Sequence, residues 1–319
     1  MTTSTEARST TAPRGAADTG VDTVTGAFSY SGRAIAAELA ARGRHVRTLT
    51  GHPERALDDT IEARPLDFDD PHGLVTALEG TTTLFNTYWV RFAHGTMTHE
   101  RAVENTKTLF WAATQAGVRK IVHVSILHPS SSSPYPYFRG KALCERALAE
   151  TDVASAVLRP SVLFDEHGVL LNNIAWLLRR LPVFAVGGRG DYRVRPIHVH
   201  DFASLAVDAA AWTADRTVDA VGPERPTFNE LVGEIRRAVA SRSVIVHVPG
   251  PVLLVGSRVL GRALHDVVLT TDEFHSMADG LADSDEPATG RTKLSAWLDE
   301  HADELGRTYA SELDRHFHH

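Results

Sequence analysis

The sequence predicts an α/β fold: a doubly wound parallel sheet with a smaller, mostly helical C-terminal lobe. Three observations carry that prediction. Short β-branched runs alternate with helix-length stretches between residues 21 and 158. A turn bearing Gly26 and Gly32 joins the first run to the first helix. Beyond Pro160 the alternation loosens and helical patterning takes over.

Residues 21–25 (VDTVT) are a β-branched strand, and residues 33–42 form a helix closed by Gly43. Residues 45–50 (HVRTLT) alternate as the second strand, 61–66 as a third, with a helix over 71–78. Residues 83–86 are a fourth strand. Residues 99–116 carry Val103, Leu109, Phe110 and Ala113 at helical spacing and stop at Gly117. Residues 120–125 (KIVHVS) are the fifth strand, 138–150 a helix and 154–158 the sixth strand. Parallel neighbours need right-handed crossovers, which leaves few topologies.

Further on, helices are expected over 169–180 and 201–212, the latter capped by Asp201, with strands over 193–199 and 217–221. Thr227-Phe-Asn-Glu230 has capping-box spacing and starts a helix to about residue 240. Residues 244–248 are a strand and the rest is mainly helical. The expected organisation is a flexible tail over 1–20, a sheet domain over 21–165 completed near 193–221, and an interleaved lobe over 166–319. That lobe should cover the carboxyl ends of the strands, where open parallel sheets form ligand crevices.

Composition narrows the class. Of 319 residues, 43% are hydrophobic and 23% charged, an ordinary soluble balance. Net charge is -7, from 40 acidic against 33 basic residues without a basic block, which argues against nucleic acid or an anionic membrane as partner. Cys144 is the single cysteine, so no internal disulfide can form, and a reducing, cytoplasmic setting is expected. The first 20 residues lack a secretory apolar stretch, and no run suits a bilayer span. A small-molecule partner and a monomer or homodimer are the expectations.

Two constellations carry chemistry. The first is Thr25-Gly-Ala-Phe-Ser-Tyr-Ser-Gly32, between strand and helix. Glycines there let the backbone approach a pyrophosphate, and a helix N-terminus offers unpaired N–H groups. The second is Tyr137-x-x-x-Lys141, with Ser125 twelve residues earlier at a strand end. Positions i and i+4 share a helical face, so ammonium and phenol could share a site. A cation there would lower the phenol pKa and let Tyr137 act as general acid or base toward a carbonyl or alcohol, with Ser125 bonding the same oxygen. The chain has only four lysines against 29 arginines, so a lysine at this spacing is informative.

With these motifs the chain resembles the extended and atypical short-chain dehydrogenase/reductase superfamily, in its NmrA-like, complex-I-accessory-subunit-like and epimerase-like branch. Residues 21–313 carry the resemblance, including Glu104-Asn-Thr106, Pro136-Tyr-Phe-Arg-Gly-Lys141, Leu158-Arg-Pro160 and Pro196-Ile-His-Val-His-Asp201. The first loop is similar to the family's TGxxGxxG, with Ser29 where the middle glycine belongs. The resemblance implies a Rossmann-type fold and a pyrophosphate site at Gly26, Phe28, Ser29, Tyr30 and Gly32. It implies Asp67 and Phe68 near adenine. It also implies Asn86, Thr87, Tyr88 and Trp89, with Pro160 and Val162, beside the nicotinamide ribose, which Lys141 would hold. Asn86-Thr-Tyr-Trp89 replaces a small, Ala-rich stretch of many relatives and puts aromatic bulk there.

The second strand ends Thr48-Leu-Thr-Gly-His52 without an acid for the ribose hydroxyls, while Arg33, and Arg55 beyond it, could meet a 2′-phosphate. NADP(H) is therefore favoured over NAD(H). The expected function is an NAD(P)H-dependent oxidoreductase reducing a carbonyl or related group of a small metabolite. The alternatives are a non-catalytic dinucleotide sensor or assembly protein, and an epimerase or dehydratase using the same cofactor. Trp89 and, in the lobe, Asn173, Trp176, Tyr192 and Arg193 are substrate candidates. His198-Val-His200-Asp201 and the terminal His316, His318 and His319 lack a full ligand set, so no metal is expected. Cys144 reads as a buried structural thiol.

Overall fold

The computed structural model describes residues 20–55, 60–92, 95 and 97–311. The expectations on residues 1–19, on the Arg55 side chain and on His316, His318 and His319 lie outside the described residues.

The first half is β1 (Val21–Thr25), α1 (Tyr30–Ala41), β2 (His45–Thr50), β3 (Glu62–Pro65), α2 (Pro71–Leu78), β4 (Thr81–Asn86), α3 (His99–Gln115), β5 (Lys120–Val124), α4 (Pro136–Ala149) and β6 (Ala154–Pro160). The second half is β7 (Leu163–Phe164), α5 (Val169–Arg180), β8 (Val183–Gly187), β9 (Ile197–His198), α6 (Val199–Ala209), β10 (Arg216–Ala220), α7 (Phe228–Ala238), β11 (Val244–Val248), α8 (Gly250–Leu264), α9 (Thr271–Ala278) and α10 (Leu294–Glu300).

Seven strands form one sheet in the order β3-β2-β1-β4-β5-β6-β10, every pair parallel. This is the Rossmann-type order with one strand added at the β6 edge, and its direction of growth reverses between β1 and β4. The carboxyl ends of those two strands, Thr25 and Asn86, therefore flank the crevice.

Burial on both faces explains the near-continuous apolar strands. Neighbouring residues on a strand point to opposite sides: Phe85 and Val122 pack with α1 and α6, while Leu84 and Ile121 pack with α2 and α3. A separate core joins α5, α7 and α10 through Leu171, Ile174, Leu231, Ile235, Trp297 and Leu298. The α7 start holds its capping box, Thr227 Oγ accepting from Glu230 N and the Glu230 carboxylate from Thr227 N.

Several expectations need correction. The strand expected over 193–199 shrinks to Ile197–His198, because Pro196 lacks the N–H a ladder needs; Arg193 makes one isolated antiparallel bridge to Thr227. β8 escaped the sequence reading because VFAVG has neither alternation nor helical length. α1 begins three residues earlier than expected, at Tyr30, with Ser29 as its N-cap. Asp201 does not cap α6. His198 does, and the Asp201 carboxylate instead accepts from the N–H groups of Arg291 and Thr292.

Candidate active site

The β1–α1 loop is closed on itself. Gly26 has φ +67°, a left-handed backbone that favours glycine, and its N–H donates to Leu49 O at 2.8 Å. A Cβ on Gly32 would lie 2.1 Å from Gly26 O, so the first turn of α1 can sit this close only with glycine there. Ser29 has an ordinary φ of −83°, so this loop does not require glycine at that position, and its hydroxyl folds back to donate to Gly26 O at 2.6 Å. The side chain thus lies along the loop.

The strand ends beside the loop are cross-braced. Thr25 Oγ1 accepts from the N–H groups of Thr87 and Tyr88. Thr87 Oγ1 donates to Thr25 O. Asn86, fully buried, accepts from Tyr88 N and pairs its amide with His123 Nδ1. Its side chain is therefore committed to the sheet, leaving backbone as what it can offer a ligand. Asp67, exposed, holds its own turn by accepting from Asp69 N. The rings of Phe68 and Tyr88 meet at 4.7 Å, and Tyr88 Oη accepts from Asn105.

A cavity of about 1300 Å³ runs from this loop into the lobe. Phe28, Ser29, Tyr30 and Arg33 line its loop end, with Pro160, Ser161, Val162 and Leu163 opposite. Arg33 is exposed and has no ion-pair partner among the described residues. The Tyr30 hydroxyl donates to the buried Asp165 at 2.7 Å, tying the start of α1 to the segment after β7.

Tyr137 lines the same cavity, half-buried. Its ring meets Trp89 edge-on at 5.7 Å and His99 at 5.8 Å. Burial pushes the phenol pKa up, offset in part by the nearby Arg91 guanidinium. The expected lowering by Lys141 is thus corrected. Lys141, 2% exposed, donates from Nζ to Val124 O at 2.7 Å and lies 4.6 Å from the Trp89 ring centre. Burial brings its pKa down to about 8, and it is absent from the cavity wall. The i, i+4 spacing does put both groups on one side of α4, but Trp89 packs against each of them.

Ser125 is also engaged. Its hydroxyl donates to Glu145 at 2.5 Å, and Glu145 takes a two-pronged pair from Arg159 at 3.0 and 2.6 Å. Sequence reasoning missed this group, though Glu145 stands four residues after Lys141 on the same helix. His99 was missed as well. It lines the cavity, stacks on Trp89 at 5.9 Å, and is held below its ordinary pKa by burial. Among the described residues His99 Nδ1 and Trp89 Nε1 are buried without a hydrogen-bond partner. Arg91 pairs with Glu273 at 2.6 Å in the opposite wall.

The lobe candidates divide. Tyr192 lines the cavity and stacks on Phe228 at 5.2 Å. Asn173 also borders it, but its amide is spent on the backbone of Ala310. Trp176 is not in the wall: it packs on Tyr309 and under Arg180. Arg193 is exposed and donates to Arg225 O. Both are therefore corrected as substrate contacts, since remote backbone and rings claim their side chains. Cys144 is buried beside Thr106, and burial raises its pKa. Among the described residues no three His, Cys, Asp or Glu side chains could hold a metal. Nor is any described helix long and apolar enough to cross a membrane.

Comparison with known proteins bears on this geometry. Residues 26–174 match a family model described as NAD(P)H-binding. The chain is 24% identical over 245 residues to the mitochondrial NADH dehydrogenase [ubiquinone] 1 alpha subcomplex subunit 9 of Arabidopsis thaliana, covering 73% of this chain and 61% of that protein's length. Its fold is shared with the NADPH-dependent quinone oxidoreductase of Escherichia coli solved with NADPH, at TM-score 0.71 and 19% identity over 89% of this chain and 99% of that one. It is also shared with the triphenylmethane reductase of Citrobacter sp. solved with NADP(H), at TM-score 0.70 and 19% identity, covering 88% and 99%.

Proposed function

We propose that this chain, which carries an NAD(P)H-binding domain and has homologues in the complex I subunit 9 and atypical short-chain dehydrogenase branch, is an NAD(P)H-dependent reductase acting on a carbonyl or related unsaturated group. The observation that carries this is the single cavity running from the β1–α1 loop to the Tyr137 phenol. The residues fit a dinucleotide. The loop is compact enough for a pyrophosphate to approach, since Gly32 leaves no Cβ and Ser29 turns its hydroxyl back on Gly26. The first turn of α1 offers backbone N–H groups to an anion at that end. When bound, the nicotinamide supplies a hydride.

The protein residues then do three things. Tyr137, held protonated by its raised pKa, donates a proton to the oxygen on which negative charge develops. The protonated phenol is the form a reduction uses, and burial makes it a weaker acid than a free tyrosine. Arg91 and Glu273, paired in the wall, keep a polar patch near that end. Lys141 acts here as a buried cation under Trp89, setting the ring against which Tyr137 packs.

NADP(H) is the preferred cofactor in this reading. No acid stands at the end of β2, where Thr50 Oγ1 accepts from His52 N, and Arg33 stands exposed by the cavity. Cytosolic location and a monomeric or homodimeric state complete it. A second reading, a non-catalytic dinucleotide sensor, is favoured by one observation: Ser125 and Lys141 are both engaged away from the cavity.

Turnover of a carbonyl panel with NADPH separates the two. The reductase reading expects Tyr137→Phe to lower kcat by about a hundredfold or more while NADPH still binds. Unchanged turnover in that variant removes Tyr137 as the acid. NADPH binding without turnover of any substrate favours the sensor.

A further inference from the structure

The cavity of about 1300 Å³ has room for more than the dinucleotide at its loop end, and the part lined by α5 and α8 is largely apolar. Its chemistry is also graded. Tyr137, His99 and the Arg91–Glu273 pair line one part. Elsewhere α8 presents Val252, Leu253, Gly256, Ser257 and Leu260, a stripe at i, i+1, i+4, i+5 and i+8. Ile174 and Leu177 of α5 line the cavity as well. The channel reaches the surface between half-open apolar residues: Leu181 is 40% exposed, Val183 44% and Val252 56%. Gly256 also lines this part, and a Cβ there would meet nothing within 4 Å, so the position has room for a larger side chain.

We propose that the α5–α8 part of the cavity binds the hydrocarbon tail of an amphiphilic substrate whose reducible head sits at Tyr137. This rests on the reductase reading for the head and on the apolar wall for the tail. A tail of alkyl or prenyl type fits because the stripe offers one serine hydroxyl, and that hydroxyl is already donated to Leu254 O. A polar or sugar-bearing tail would leave its own hydroxyls unpaired against valine and leucine, at a cost. The open end at Leu181 and Val252 lets a chain longer than the cavity project outward.

The test uses the full chain and dansyl-undecanoate as a fluorescent probe, with hexyl, nonyl and dodecyl methyl ketones as competitors. Saturable one-to-one binding is expected, with competition tightening up to about fourfold per added methylene. Gly256→Trp, which fills the stripe at a position with room for a side chain, should weaken the probe by about tenfold or more, and Gly256→Ala should not. Val252→Trp at the mouth is the second blocking variant, with circular dichroism as the folding check for each. Non-saturable probe binding, affinity independent of ketone length, or wild-type affinity in both folded tryptophan variants would each overturn the proposal. A parallel NADPH titration keeps the readings apart, because the tail site binds the probe without the dinucleotide. Loss of dinucleotide binding would count against the reductase reading alone.

Discussion

The two ends of the cavity are built on different principles. At the β1–α1 end, shape is held by backbone: Gly32 stands against Gly26 O, and Thr25, Thr87 and Tyr88 are braced across strands. At the lobe end, the wall is made of side chains from α5, α8 and α9, most of them apolar. Backbone contacts leave no slack, whereas apolar walls repack at modest cost. The first end is therefore suited to one invariant ligand and the second to a ligand of variable length. Substitutions should reveal that difference in rigidity.

The largest effect is expected at the rigid end. Gly32→Ala places a methyl 2.1 Å from a backbone oxygen and should cost about 3 kcal/mol and abolish NADPH binding, read by thermal melts and dinucleotide titration. A similar substitution in the lobe, Gly256→Ala, meets nothing and should be neutral or stabilising by up to about 1 kcal/mol. Equal losses at the two glycines would break the comparison.

Lys141 gives an effect of comparable size with a pH signature. Its folded pKa, about 8, lies below the ordinary 10.5. Between those values the unfolded chain holds a proton that the folded chain has released, so stability rises with pH across that window. The rise attributable to this group is about 3 kcal/mol, and burying the ammonium costs that much below pH 8. Lys141→Met should remove the rise and be at least as stable as wild type at pH 7. Urea melts from pH 7 to 10.5 measure both, and an unchanged slope in the variant would mean the ammonium is better solvated than its partners suggest.

Smaller effects sharpen the picture. Thr227→Ala breaks the capping box of α7 and should cost about 1 kcal/mol while leaving NADPH affinity alone. Ser29→Gly should change stability by only a few tenths of a kcal/mol, because Ser29 has an ordinary φ and its hydroxyl lies along the loop. A large gain in NADPH affinity in that variant would show that the serine does narrow the approach.

Much of the fold was legible because its signals are local. β2, α2, α5 and β11 have the bounds their periodicity predicts, and the glycine-bearing turn lies where strand gives way to helix. The site was legible only in part. Helical spacing shows that Tyr137 and Lys141 share a face, but not that Trp89, from a loop 48 residues before Tyr137, packs against both. Nor does it show that Glu145 accepts the hydrogen bond of the Ser125 hydroxyl. The partners of Asn173 and Trp176, Ala310 and Tyr309, were hidden for the same reason: they are more than 130 residues away. Contacts made by the closing of the fold leave no periodic trace. The apolar stripe of α8 is the opposite case, a local pattern whose meaning depends on the cavity it faces.

The most direct measurement is a fluorescence titration of the full chain with NADPH and, in parallel, NADH, following tryptophan quenching. Saturation at one equivalent, with NADPH the tighter ligand and the signal lost in Gly32→Ala, is the predicted result. No binding of either dinucleotide by the folded wild-type chain would contradict the account.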